Sequence, residues 1–155
     1  MREPVLGEVA YRVLSTLSVF GVLAESLHPG ERDQSWHLDV LGDQLKAMVL
    51  LTHVESKHGP MEYKVGSHLS RLPRRWNPDQ QHGIYVSPEE VAELPGEVLQ
   101  ATGRAGDCVF FDSHGAHRGT RCLDGTRHVL AVYYQGGDTR RNALVRFLVK
   151  GSSKT

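Results

Sequence analysis

The sequence is poor in several things, and each shortage excludes a class of protein. It has no net charge: 18 lysines and arginines balance 18 aspartates and glutamates over 155 residues. Without a basic excess to neutralise phosphates, a nucleic-acid partner is not expected. It has no long hydrophobic run, and nothing approaches the roughly 18 consecutive apolar residues of a membrane span, so no membrane partner is expected either. Its two cysteines, Cys108 and Cys122, are too few for a disulfide framework or a zinc–thiolate site. A reducing, cytoplasmic location is therefore the expectation. The opening "MREPVLGEVAYRVLSTLSVFGVL" carries early acidic residues and no clear cleavage site, which argues against a signal peptide. No repeat or second domain is visible. The length suits one domain over 1–155, with "KGSSKT" at 150–155 read as a disordered tail.

Histidine, by contrast, is abundant: nine residues, at His28, His37, His53, His58, His68, His82, His114, His117 and His128. It is the commonest metal ligand, although many histidines simply sit on surfaces. The spacing of apolar residues predicts a short helix over 4–15, weakened by Gly7, then strands over 17–27, 35–40, 45–54 and 61–66. The polar, proline-bearing stretch 70–83 reads as a long loop, with Arg71, Arg74, Arg75 and Trp76 available for selectivity. "SPEEVAEL" (87–94) has a serine cap, proline at the first helical position and acids in the first turn, so it reads as a short helix. Strands follow over 97–103, 107–113, 127–135 and 143–149. Seven or eight short strands with little helix indicate a β-sandwich or barrel.

Within the strand "DQSWHLDV" (33–40), His37 and Asp39 are two apart and project from one face, while Trp36, Leu38 and Val40 project from the other. An aspartate is costly to bury unpaired. If that face lines a barrel, one more histidine completes a 2-His-1-carboxylate triad with open positions on iron(II). In so histidine-rich a chain the pair means little by itself. His53-Val54-Glu55 is a rival, at a strand end where solvation is expected. Downstream, "GRAGDCVFFDSHGAHRGTRCLDGTRHVLAVYY" (103–134) runs from an apolar strand through a histidine-rich corner to Arg127, which opens a second apolar strand. A buried guanidinium there needs an anionic partner, and a carboxylate matches its fork. His114 competes with His117 as the third ligand. His128 should point away from Arg127.

"QSWHLDV", "KAMVLLTHVESKHGPMEYKVGSH", "GRAGDCVFFDSHGAHRG" and "TRHVLAVYY" together resemble the phytanoyl-CoA dioxygenase family in order and spacing, over about residues 17–135. The resemblance implies a mainly β, double-stranded β-helix fold (jelly-roll or cupin-like) with a few short helices. It implies an iron(II)/2-oxoglutarate-dependent oxygenase that uses dioxygen to hydroxylate a small organic or lipid-like molecule, with succinate and CO2 as co-products. By the same resemblance His37, Asp39 and His117 are the iron ligands and catalytic residues. Arg127 holds the distal carboxylate of 2-oxoglutarate, and Thr120 borders that cosubstrate site. Trp36 and Gly66-Ser67-His68 match family sequence and are read as structural. Asp39 argues against a halogenase, whose relatives place a small residue there.

Two positions depart from the family pattern: Gly119 stands where many relatives have a hydroxyl residue, and Val129 where related oxygenases often have serine. Only 36 residues precede the H-x-D pair, fewer than in most relatives. The short form implies a compact enzyme, a homodimer covering the exposed side, or an impaired, non-catalytic relative that still binds metal or ligand. A cupin-type, non-redox metalloenzyme using the same ligands is the remaining alternative.

Overall fold

Strand alternation places one row of side chains between two sheets and the other row outside. The computed structural model describes residues 17–39, 44–70, 72, 75–76, 84–136 and 148–149. The expected helix over 4–15, most of the 70–83 segment and the 150–155 tail lie outside them. One antiparallel sheet has five strands in the order β1-β10-β3-β8-β11. These are β1 (Leu17–Leu27), β3 (Gln44–Leu50), β8 (Cys108–Asp112), β10 (Arg127–Gly136) and β11 (Leu148–Val149). The other has six, ordered β5-β6-β2-β9-β4-β7. These are β2 (His37–Leu38), β4 (Met61–Lys64), β5 (Arg75–Trp76), β6 (Ile84–Tyr85), β7 (Val98–Gln100) and β9 (His117–Gly119). From β1 to β4, and again from β8 to β10, the chain alternates between the sheets. This is the double-stranded β-helix that the sequence led us to expect.

The register fixes what faces the interior. On β3, Lys46, Met48 and Leu50 lie opposite Tyr133, Ala131 and Val129 of β10, and Lys46 and Met48 lie opposite Phe111 and Val109 of β8. Met61 and Tyr63 of β4 pack against Val109 and Phe111, joining the sheets. Leu50, Val54 and Val129 close the core beside them. Trp36 and Leu38 point the other way, into a second cluster with Ile84, Val86 and Ala116. Val91 completes that cluster from α1 (Pro88–Glu93). The expected cap is present: Ser87 Oγ accepts from the Glu90 amide, and Glu90 accepts from the Ser87 amide. Such a cap stabilises the helix by about 1 kcal/mol.

Three expectations are corrected. Eleven strands are present among the described residues, not seven or eight. Arg75–Trp76, expected within a loop, is a short strand pairing with Ile84–Tyr85. His117, expected at a corner, opens β9. All these short strands owe their existence to a neighbour's hydrogen bonds, which local composition does not reveal.

Candidate metal centre

The site is built on the six-stranded sheet. His37 of β2 and His117 of β9 lie directly opposite each other across an antiparallel pair. Their rings project to the same side, with centroids 4.4 Å apart. Asp39 follows His37 by two residues, and its backbone amide donates to Ser113 O at 2.9 Å. Ligand atoms of His37, Asp39 and His117 all lie within 4.8 Å of one another. Among the described residues no other cluster of three or more histidines, cysteines or acids comes so close.

Hydrogen bonds set the tautomers. Nδ1 of His37 donates to Ser35 O at 2.9 Å, and Nδ1 of His117 donates to Gly115 O at 2.9 Å. A carbonyl can only accept, so each Nδ1 carries a proton and the neutral form of each ring leaves its lone pair on Nε2. Burial, reinforced by His37 nearby, pushes the His117 imidazole down to about 3, so it is neutral at pH 7. Burial alone would raise the Asp39 carboxyl. The imidazoles and the Lys46 ammonium outweigh it and hold the group below the usual carboxylate range. Asp39 Oδ2 is 3.7 Å from His117 Nε2. It is buried without a well-formed hydrogen bond, its charge met by the ion pair to Lys46 Nζ. Two imidazoles protonated at Nδ1 and an ionised carboxylate are the donor set a divalent transition metal takes. The Phe111 ring, its centroid 5.2 Å from that of His117, walls the site with hydrocarbon.

Arg127 stands on the facing sheet at the start of β10, opposite Leu27. It is only 2% exposed. Its Nη1 donates to Gly59 O at 2.5 Å, and its Nε has no partner. Burial and the nearby Arg32 charge pull its guanidinium below its usual range. Thr120 Oγ1 donates to Pro60 O at 2.7 Å, tying down the segment on which Arg127 leans. Gly59, at φ +69°, has no room for a Cβ, which would meet Thr120 O at 2.8 Å. The departures at 119 and 129 also have a steric basis. A Cβ at Gly119 would lie 2.7 Å from Arg32 Cδ and 2.8 Å from Gln34 Oε1. Val129 is fully buried with Leu50 and Val54. Arg32 itself pairs with Glu25 at 2.7 Å.

The rival residues lie elsewhere. His114 Nδ1 contacts its neighbour Asp112 Oδ1 at 3.1 Å. His53 and Glu55 form an exposed pair with each other at 3.4 Å. His128 contacts Ser26 Oγ at 2.8 Å. Trp36 is buried beneath the Arg118 guanidinium. Ser67 Oγ bridges Lys64 O and the Ala116 amide. Arg71 and Arg74 lie outside the described residues. Sequence reasoning missed Lys46. Its signal was a single lysine inside an apolar run, in phase with Met48 and Leu50 rather than with the outward row.

The sequence model of the phytanoyl-CoA dioxygenase family matches residues 15–128. No curated protein matches the sequence significantly. Among solved structures, EctD from S. alaskensis, in complex with 2-oxoglutarate and 5-hydroxyectoine, is 21% identical with a TM-score of 0.67, covering 87% of this chain and 50% of its own. The epimerase SnoN, with Fe3+, alpha ketoglutarate and nogalamycin RO, is 22% identical with a TM-score of 0.63, covering 93% and 66%. The non-heme monooxygenase ThoJ is 25% identical with a TM-score of 0.62, covering 86% and 52%. The chain thus spans about half to two thirds of each of these three.

Proposed function

Because the chain belongs to the phytanoyl-CoA dioxygenase family, we propose that it is a non-haem iron(II)/2-oxoglutarate-dependent oxygenase. In this reading it hydroxylates a small organic or lipid-like substrate. His37, Asp39 and His117 would hold the iron through two Nε2 atoms and a carboxylate oxygen, and Arg127 would take the distal carboxylate of 2-oxoglutarate. The observation that carries the reading is the state of the donors. The imidazoles carry their protons on Nδ1, held there by backbone carbonyls, beside a buried carboxylate whose Oδ2 is met by the Lys46 ammonium. When bound, iron would supply the redox chemistry by which dioxygen oxidises 2-oxoglutarate to succinate and CO2 and removes a substrate hydrogen.

The chain's own residues supply position and dryness. Ser35 and Gly115 carbonyls orient the two rings. Phe111, Met61 and Tyr63 exclude water from one side. Arg127 places a fixed positive charge, with an unpartnered Nε, at the facing end. Thr120 supports that end through Pro60. The carboxylate of Asp39 leaves no vacancy for halide, which favours hydroxylation over halogenation.

The test is anaerobic titration with iron(II) and then 2-oxoglutarate, followed through the weak visible absorption of the chelate. The wild-type protein should develop the band, and His37→Ala and Asp39→Ala should not. With oxygen readmitted, succinate should form in the wild type alone. A band of full intensity in both variants would remove these residues from the site. Full activity with zinc and no oxygen would favour the non-redox reading. Product analysis separates hydroxylation from epimerisation and ring closure, the reactions named for SnoN and the carbocyclase SnoK.

A further inference from the structure

The inner face of the five-stranded sheet carries a lysine directly across from the three donors. Lys46 is 14% exposed, and its ammonium is ion-paired to Asp39 Oδ2. It lies 4.8 Å from the Tyr133 ring centroid and 6.0 Å from that of Phe111. The oxygen it holds is the one nearest His117 Nε2, so ammonium and metal would claim the same atom. A dication on that oxygen repels Lys46 and removes its counter-ion. Among the described residues the other carboxylate on this face, Glu25, is already held by Arg32 at 2.7 Å. The Tyr133 and Phe111 rings attract a cation but accept no strong hydrogen bond. A largely buried lysine left without an anion is costly.

We propose that Lys46 binds a carboxylate beside the metal: it neutralises Asp39 in the metal-free protein and passes to an incoming carboxylate when the metal takes Asp39. Two sources share that chemistry, the near carboxylate of 2-oxoglutarate and a carboxylate on the substrate. This inference rests on the metal reading above.

Calorimetry with redox-silent manganese(II), then 2-oxoglutarate, on wild type, Lys46→Met, Lys46→Gln and Lys46→Arg tests it. The Met and Gln variants should bind manganese as tightly as wild type or more tightly, because a competing cation is gone. If the near carboxylate is the partner, both should bind 2-oxoglutarate roughly tenfold or more weakly, with Lys46→Arg retaining most of the affinity. If the substrate supplies it, 2-oxoglutarate binding is unchanged. Benzoate or octanoate then raises the melting temperature of the wild-type ternary complex and not that of the Met and Gln variants. Weakened manganese binding in Lys46→Met and Lys46→Gln would instead make Lys46 a prop for Asp39 and overturn the proposal. So would variants that match wild type in both carboxylate arms. A wild-type protein that binds neither manganese nor 2-oxoglutarate overturns the functional reading, and this inference with it.

Discussion

The two sheets face the same interior and contribute opposite chemistry to it. The six-stranded sheet presents lone pairs: His37, His117 and, just beyond β2, Asp39, carried on strands of two and three residues. The five-stranded sheet presents cations, Lys46 and Arg127, carried on strands of seven and ten residues. The contrast has a physical logic. Ligand donors must converge on one point, which a cross-strand pair achieves with very little strand. Buried cations must be prevented from turning toward water, which a long, apolar, doubly paired strand achieves.

Arg127→Met is the sharpest way to break this division of labour. If Arg127 pairs with the distal carboxylate as proposed, truncating it costs about 2–5 kcal/mol, so 2-oxoglutarate affinity should fall by some two orders of magnitude while manganese affinity holds. Calorimetry on both ligands checks it, and equal loss of both would show that the sheets do not act separately.

Acid should act through the six-stranded sheet. His117 goes from its ordinary 6.5 to about 3 in the folded, metal-free protein. Between those values the unfolded chain takes up a proton that the folded chain refuses, so stability rises with pH across the window. It is complete above about 6.5 and lost as pH falls toward 3; the lowered Asp39 carboxyl acts in the same direction at the acid end. Melting temperature against pH should fall across this range in wild type and less steeply in His117→Gln. Parallel curves would remove His117 as the cause.

A smaller effect is expected in the turn joining the sheets. A Cβ at Gly115 would collide with Tyr63 Oη, in the turn whose carbonyl orients His117. Gly115→Ala should cost about 1–3 kcal/mol as overpacking, seen as a lower melting temperature, together with weaker manganese binding. The smallest effect belongs to the outer side of the six-stranded sheet. Ser87→Ala should cost about 1 kcal/mol and leave manganese and 2-oxoglutarate affinities unchanged, because α1 meets Trp36 and Leu38 rather than the His37–Asp39 row.

Legibility in the sequence followed strand length and distance along the chain. β1, β3, β8 and β10 were readable because a pattern over five to eleven residues survives local noise. β5, at two residues within a polar stretch, carried no period to read and exists through its pairing with β6. Asp39 and His37 could be placed on one face from their spacing. That His117, and not His114, stands opposite His37 depends on a turn at 113–116 that shifts the histidine-rich corner into a strand. Lys46 looked like an ordinary member of an apolar run until β3 was set against β8 and β10.

By itself the sequence determined which side chains share a face: His37 with Asp39, against Trp36 and Leu38, and Lys46 with Met48 and Leu50. It also carried the Ser87 cap, because strand period and capping are local properties of consecutive residues. Only the tertiary structure decided which faces meet. It set His37 against His117, leaned Arg127 on the Gly59 carbonyl and brought the Lys46 ammonium to Asp39. Those are register and packing choices between segments as much as 80 residues apart, and the two-residue period of a strand says nothing about its partner.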